Sequence, residues 1–360
     1  MSVEKDLSIP VSTSIREAMQ QLDQTAEKCL FVVDQNHALI GALTDGDVRR
    51  AILKGRGLDE TIEGSYNTTP LTIADDAASL DDERIKVHAT DLMSEHRVEV
   101  VPVVDDAKRI LRYVTWTDLF GNGRDAERPA LTVPVVIMAG GYGTRLEPFT
   151  KVLPKPLIPV HDKPIIEHII DRFVEVGAGE FWLTVNYKSR IMKAYFEERN
   201  PDYGVYFVDE PEPMGTAGGL QFMRGKADVP FFVTNCDIII NAEYRRVMDF
   251  HLEHRHAITL VGSAVHYQIP YGTCVLNKAG SLAQIDEKPQ YDFLVNTGMY
   301  VLSPGVLDLI PETGVYHMTQ LMEAAIAAGH SVGVFPVSED AWIDIGQWKE
   351  YQRAADRLEL

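Results

Sequence analysis

The chain has 360 residues, enough for two domains that each bury a core, and its 45% apolar and 24% charged residues exclude a disordered chain. A formal net charge of -19 excludes general electrostatic attraction to nucleic acid or to anionic membrane surfaces, yet leaves room for a local basic pocket around a small phosphorylated ligand. Three scattered cysteines without a CxxC pair, no apolar signal core in MSVEKDLSIPVSTSI and no apolar run of 18 residues lead us to expect a soluble protein of the reducing cytoplasm, without disulfides or structural zinc.

The first predicted element is a helix, SIREAMQQLDQ, with Ile15, Met19 and Leu22 on one face. It is followed by FVVDQNHALIGALTDGDVRR, which aligns with VPVVDDAKRILRYVTWTDLF further on; Thr44 and Thr115, like Asp47 and Asp118, are 71 residues apart. Each copy reads as an apolar strand ending in Val-Val-Asp, a polar turn, a second strand and a Thr-x-x-Asp that opens a helix. The helical pattern ATDLMSEHRVEV precedes the second copy as the first helix precedes the first, so two α/β units of this size are expected to pack against each other.

The repeat resembles a pair of cystathionine-β-synthase-type (CBS) domains over residues 1–122, with copies at about 1–60 and 61–122. In that family the Thr and Asp of this motif contact an adenosine nucleotide, which implies a regulatory nucleotide site at Thr44, Asp47, Thr115 and Asp118. A carboxylate at a helix N-terminus is well placed to accept two hydroxyl hydrogen bonds, but Thr-x-x-Asp is equally an ordinary helix cap. Trp116 lies inside the second motif, where it would stack on a base or obstruct one.

GNGRDAERPALTV has no periodicity and reads as a linker over residues 123–133. Strands and helices then alternate: VPVVIMA, the helix KPIIEHIIDRFVEVG, EFWLTVN, the helix SRIMKAYFEERN, VYFVDE, a helix around TAGGLQFMRGK and the apolar strand PFFVTNCDIII. The alternation predicts a doubly wound, mostly parallel α/β sheet with its ligand beyond the carboxyl ends of the strands. AITLVGSAVH, YGTCVLN, LAQIDEK and NTGMYVL have no helices between them and are expected to form an antiparallel extension.

The first strand of this region runs into AGGYGTRLEPFTKVLPKP. Gly140, Gly141 and Gly143 let the backbone turn tightly and present N–H groups to an anion, and Arg145 and Lys155 add two cations, so a triphosphate suits the place. The spacing is neither the G-x-G-x-x-G of dinucleotide folds nor a P-loop. The stretch resembles the G-G-x-G-T-R-x(4)-T…P-K-P motif of sugar-1-phosphate nucleotidylyltransferases. That resemblance implies a Rossmann-like, GT-A-like mixed sheet over 134–360 and a turn formed by Ala139, Gly140, Gly141, Gly143 and Thr144 around the triphosphate. It further implies that Arg145 binds the β- and γ-phosphates and that Lys155 stabilises charge at the phosphorus under attack.

Such a transfer needs a divalent cation to spread charge, here Mg2+, and carboxylates at strand ends are suited to hold it. Asp237, in FFVTNCDIII, follows a buried strand, and Asp344 sits in AWIDIGQW; both match the family's metal-binding aspartates, although Asp344 taken alone also reads as a helix cap. Cys236 stands where the family most often has glycine and is read as a small buried thiol. In EPEPMGTAGG the resemblance places Glu210 at the base edge, with Gly215, Thr216 and Ala217 beside the base. Guanine presents N1–H and N2–H donors, to which a carboxylate is complementary, so GTP is expected, with Glu212 as a rival reader. Tyr271, Gly272, Glu287, Lys288 and Asn296 match the family's sugar-phosphate site.

A CBS pair ahead of such a domain resembles the enzymes that supply GDP-glucosamine for legionaminic acid, a bacterial surface sugar. Glucosamine 1-phosphate is therefore the first expectation among hexose 1-phosphates, with mannose 1-phosphate and a heptose 1-phosphate behind it, in a homo-oligomer. A non-catalytic nucleotide-sensing protein is the alternative, and the intact Arg145, Lys155, Asp237 and Asp344 stand against it. The 11 histidines show no metal spacing and read as surface or packing residues.

Overall fold

The structure, a computed structural model, describes residues 7–25, 29–74, 82–96, 98, 100–115, 118–119, 130–278, 280–348 and 350–351. The chain divides into two compact units, Met1–Pro129 with Tyr267–Asp292, and Ala130–His266 with Phe293–Leu360.

In the first unit β1 (Ser8–Pro10) lies parallel to β2 (Cys29–Val33), which turns back antiparallel into β3 (Leu39–Thr44). Helix α1 (Ile15–Thr25) joins β1 to β2 and buries Ile15, Met19 and Leu22, the stripe expected from the sequence, while α2 (Asp45–Leu53) follows β3 directly. The pattern then repeats with β4 (Ile73–Ala74), α3 (Asp82–His96), β5 (Val100–Val104) and β6 (Ile110–Thr115).

The 71-residue spacing holds at the level of single atoms. Both hairpins shift register between the two valines of the Val-Val pair, at Val32/Val33 and Val103/Val104. Both turns place a non-glycine residue in the left-handed region, His37 and Lys108, each at φ 59°. Asp34 and Asp105 each accept two backbone N–H bonds that close the turn, from Asn36 and Ala38 in one copy and from Ala107 and Arg109 in the other. The two copies meet as expected, through a bridge between Ala38 and Arg109 and a stacked pair, Phe31 on Tyr113, with centroids 5.4 Å apart. Trp116 and residues 121–129, most of the expected linker, lie outside the described residues.

The second unit is built on β7 (Val135–Met138), β10 (Glu180–Val185), β11 (Gly204–Asp209), β12 (Phe231–Asn235), β14 (Ile258–Gln268), β17 (Gln290–Leu302) and β18 (Val332–Ser338). Their order across the sheet is β11-β10-β7-β12-β17-β14-β18. The first four are mutually parallel and β17 is antiparallel to β12, so the sheet is mixed. Short β8 (Pro159–Val160) and β9 (Lys163–Pro164) lead into helix α4 (Ile165–Val174). With α5 (Ser189–Arg199) and α6 (Tyr244–Glu253), α4 covers the face to which β7 sends Val135 and Ile137. The other face receives Val136 and packs on α7 (Met318–Ala327) through Met318, Leu321 and Ala325. Burial on both faces is why these strands read as continuous apolar runs rather than alternating ones.

Three expectations change. The run PFFVTNCDIII is two strands, because the chain leaves the sheet after Asn235, passes through Cys236 and Asp237, and resumes as β13 (Ile238–Ile240), paired antiparallel with β19 (Trp342–Asp344). The helix around TAGGLQFMRGK is only one α-turn, Gly215–Gly218, followed by a 3-10 turn, Gly219–Met223; consecutive glycines weaken a longer helix. The four helix-free segments do not make one extension: AITLVGSAVH and NTGMYVL join the main sheet as β14 and β17, while YGTCVLN and LAQIDEK form a separate hairpin, β15 (Thr273–Leu276) with β16 (Leu282–Asp286). Among the described residues no helix is long and apolar enough to cross a membrane.

Candidate active site

The glycine-rich stretch leaves β7 at Ala139, whose N–H still donates to Thr184 O at 2.9 Å, and becomes a loop of three 3-10 turns, Thr144–Leu146, Phe149–Lys151 and Lys155–Leu157. Gly141 is exposed, with open space where a side chain would begin. Gly143 has φ +66°, and a Cβ there would stand 2.9 Å from Lys155 Cβ and from Thr150 Cγ2. The loop therefore folds back on itself, which brings the glycines against Lys155; both the backbone conformation and the close approach require glycine. Thr144 and Arg145 are exposed beside the turn, and Leu146, which follows them, is buried.

Lys155 Nζ forms an ion pair with Asp237 Oδ2. Both side chains are mostly out of solvent, at 15% and 19% exposure. Burial opposes the charge on Lys155, but the Asp237 carboxylate, with help from Asp344, outweighs it and holds the ammonium above its ordinary range. Asp344 arrives from the other end of the chain: the β13–β19 ladder pairs it with Ile238, one residue beyond Asp237. Ile345 N donates to Asp237 O at 2.7 Å, and Gly346 N donates to Asp344 Oδ1 at 2.6 Å. Burial, and then the neighbouring Asp237 charge, push the Asp344 carboxyl above the usual carboxylate range against the opposing Gly346 bond and Lys155. Cys236 is buried and its thiol is pushed up to about 12, so it stays protonated and unreactive at neutral pH.

Gly346 reports how closely the two carboxylates converge. A Cβ at this residue would lie 2.8 Å from Asp237 Oδ2 and 2.8 Å from Asp344 Oδ1, with Lys155 Nζ at 3.5 Å. Two carboxylates sharing so small a space beside one ammonium fit a divalent cation that takes one or two protein ligands and fills its remaining positions with water and phosphate oxygens. No group of three or more His, Cys, Asp or Glu side chains with metal-holding geometry occurs among the described residues, so an all-protein cage is not offered.

Glu210, at the end of β11, is not solvated but buried, at 7% exposure. Its carboxylate is held between two glycines: a Cβ on Gly140 would come within 3.0 Å of Oε2, and one on Gly219 within 2.4 Å of Oε1. Met214 N donates to Oε2 at 3.3 Å, and the Thr184 hydroxyl bonds the same carboxylate, yet burial dominates and raises its proton affinity. Glu212, the rival reader, is exposed. Gly215, at φ +81°, packs against Tyr316 O, Ala217 N donates to Tyr316 O at 2.9 Å, and Thr216 Oγ1 accepts from Met318 N at 3.0 Å. The 215–217 turn is thus pinned to the start of α7.

The residues matched to a sugar phosphate fall in both units. Tyr271, Gly272, Glu287 and Lys288 belong to the β15–β16 segment, all exposed, with Gly272 backed by Glu287 so that a Cβ would meet Oε2 at 2.9 Å. Asn296, on β17, accepts from Tyr300 Oη and Gly298 N, both at 2.9 Å. In the first unit each Thr-x-x-Asp is a reciprocal helix cap: Asp47 Oδ2 accepts from Thr44 N and Oγ1, and Asp118 Oδ2 from Thr115 N and Oγ1, at 2.6–2.9 Å. Arg50 also bonds the other Asp47 oxygen.

Sequence reasoning missed Gly346 and Thr184. Gly346 carried a signal, a glycine two residues past an aspartate at a strand end; Thr184 carried none, since its bond to Glu210 depends on β10 lying next to β11.

Comparison with known proteins adds three findings. The profile of the nucleotidyl transferase family matches residues 134–359, and that of the CBS domain matches residues 3–54 and 86–123. A mannose-1-phosphate guanyltransferase of Hypocrea jecorina is 36% identical over 227 residues, covering 60% of this chain and 61% of that protein, and one of Candida albicans is 34% identical over 226 residues, covering 60% and 62%. The chain thus spans less than two thirds of the length of these curated relatives. Among solved structures, HddC from Yersinia pseudotuberculosis is 24% identical, with a TM-score of 0.49, over 63% of this chain and 100% of that one. With its glycine turn, paired cations and converging aspartates inside the matched region, the chain belongs to the nucleotidyl transferase family and carries CBS domains ahead of the transferase domain.

Proposed function

We propose that the chain transfers a guanylyl group from GTP to a sugar 1-phosphate. The observation that carries this reading is the meeting of Lys155, Asp237 and Asp344 beside a glycine turn that approaches Lys155 directly. A phosphate oxygen of the sugar attacks the α-phosphorus in line, the bond to the β-phosphate oxygen breaks, and pyrophosphate leaves with that electron pair. The attacking phosphate is ionised at neutral pH, so no protein base or nucleophile is required, and the chain contributes position and charge. Lys155 neutralises charge near the reacting phosphorus, Arg145 meets the outer phosphates, and the N–H groups of residues 140–144 line the anion. Asp237 and Asp344 would hold Mg2+, which when bound spreads the charge of the triphosphate.

Glu210 supports guanine as the base, because a buried carboxylate with one face toward the glycine turn accepts the two donors of guanine's edge. The relatives named as mannose-1-phosphate guanyltransferases support the same nucleotide. Glucosamine 1-phosphate remains the first candidate for the sugar on the strength of the CBS pair; mannose 1-phosphate is the second, favoured by those relatives. We further propose that the first unit takes an adenine nucleotide at its Thr-x-x-Asp caps, that the protein self-associates, and that it works in the cytoplasm. Incubating the purified protein with Mg2+, each of GTP, UTP, CTP, dTTP and ATP, and a panel of hexose 1-phosphates tests the reading through pyrophosphate release. Turnover with GTP and one sugar is expected; turnover with another nucleotide alone overturns the base assignment, and silence across the panel overturns the transferase reading.

A further inference from the structure

We propose that Trp348 is a positioning residue for nucleotidyl transfer, clamping the loop that carries Arg145 and Lys155 to the strand end that carries Asp344; this rests on the transferase reading above. The loop over residues 139–158 has no regular element longer than one turn, and several of its apolar side chains face solvent, Tyr142 at 52%, Phe149 at 44% and Val152 at 70%. Buried Leu146, Thr150, Leu157 and Ile158, with bonds from Tyr187 Oη to Thr150 O and from Lys188 Nζ to Lys151 O, fix parts of the loop, and the segment 147–149 between the two cations takes a further contact from Trp348.

Trp348 follows Asp344 by four residues and reaches back onto this loop. Its indole N–H donates to Glu147 O at 3.1 Å, and its ring lies 5.0 Å from that of Phe149. Tyr351, one turn further, meets Trp348 edge-on at 5.7 Å and donates its hydroxyl to Pro159 O. The contacts at residues 147, 149 and 159 straddle Lys155 on both sides. On the other end, Ile345 N and Gly346 N are bound to Asp237 O and Asp344 Oδ1. A continuous path therefore runs from the aspartates through residues 345–348 to Glu147, two residues from Arg145. Trp348 itself is 36% exposed, which is poor use of a large aromatic ring for core packing but suits an amphipathic ring that bridges two loops and satisfies one carbonyl. Loss of the clamp leaves every charged group present and misplaces the cations relative to the aspartates.

The test compares the full chain with Trp348→Ala, Trp348→Phe and Phe149→Ala, using the substrate pair on which the unaltered protein turns over. Because a displacement of about 1 Å costs up to about 100-fold in rate, Trp348→Ala is expected to lower kcat/KM for the nucleotide by at least about 10-fold with KM raised, at an unchanged folded fraction. Trp348→Phe, which keeps the ring contact, should recover most of that loss, and Phe149→Ala should reproduce it if Trp348→Ala does not fold. Unchanged kcat and KM per folded molecule in Trp348→Ala, or in Phe149→Ala in its place, overturns the proposal. A second readout needs no activity: trypsin should cut after Lys151 faster in Trp348→Ala than in the unaltered chain. Faster cutting in a protein that is silent with every substrate pair keeps the clamp and sinks the transferase reading, whereas equal cutting sinks the clamp whatever the activity.

Discussion

Gly346 is the residue at which one added carbon would meet both aspartates of the candidate site. Its Cβ position lies 2.8 Å from both the Asp237 and the Asp344 carboxylate, so Gly346→Ala forces the two apart or pushes β19 away. A drop in kcat of about 100-fold is expected, because the substitution shifts reacting groups by roughly 1 Å, with thermal unfolding nearly unchanged. Steady-state kinetics beside a melting curve checks both halves. Glu210 makes a complementary prediction about choice of base. Glu210→Gln replaces an acceptor by a group that also donates, so one amide hydrogen faces guanine's donors; the preference for GTP over UTP, read as the ratio of kcat/KM values, should fall by at least about 10-fold. As burial raises the proton affinity of Glu210, that preference should also weaken as pH falls, earlier than an exposed carboxylate would allow.

Helix α6 shows how a buried histidine ties an element to its sheet. His251 is 1% exposed; Nδ1 meets Thr259 Oγ1 on β14 and Nε2 meets Ser303 Oγ after β17, both at 2.9 Å. Ser303 Oγ donates onward to His256 O, so it accepts from Nε2–H, and Nδ1 is left to accept from Thr259: the neutral ring is saturated. Burial, and secondarily His256, lower its pKa to about 4 from 6.5. The folded state thus binds fewer protons than the unfolded chain between those values, and stability is full above about pH 6.5 and falls as pH drops toward 4. The slope from this group is at most about 1.4 kcal/mol per pH unit. Urea unfolding at pH 7, 6 and 5, repeated on His251→Gln, should show a shallower decline in the variant.

At the scale of the whole chain, the Thr-x-x-Asp motifs of the repeat close on themselves as caps. The caps at Thr44 and Thr115 satisfy their own helices, yet each aspartate keeps further acceptor capacity for hydroxyl groups. A sensing role demands that an adenine nucleotide bind two states of the protein with different affinity, since equal affinity shifts nothing. In the full-length protein, AMP, ADP or ATP is expected to change the rate of pyrophosphate release, and Asp118→Ala to abolish the change. Identical rates at every adenylate concentration would remove the sensing role.

Much of this was legible along the chain. The 71-residue repeat announced two equal strand-turn-strand units because hairpins are local, their strands only a few residues apart, and the same side chains recur down to the turn aspartates. The tight glycine turn was likewise readable, since close backbone approach needs glycine in any context, whereas Asp237 and Asp344 were singled out through the family resemblance. What stayed hidden depends on partners far away in sequence. Nothing in PFFVTNCDIII marks the break at Cys236 and Asp237; β13 is drawn out of the main sheet by β19, about a hundred residues later. Nor does NTGMYVL reveal that it slots between β12 and β14. Nothing near Glu210 in the sequence shows that Gly140 and Gly219 close around it, nor does anything near Trp348 show that Glu147 and Phe149 lie against it. Local periodicity encodes which face of an element is apolar, whereas burial of a particular polar group is set by which distant segment packs against it.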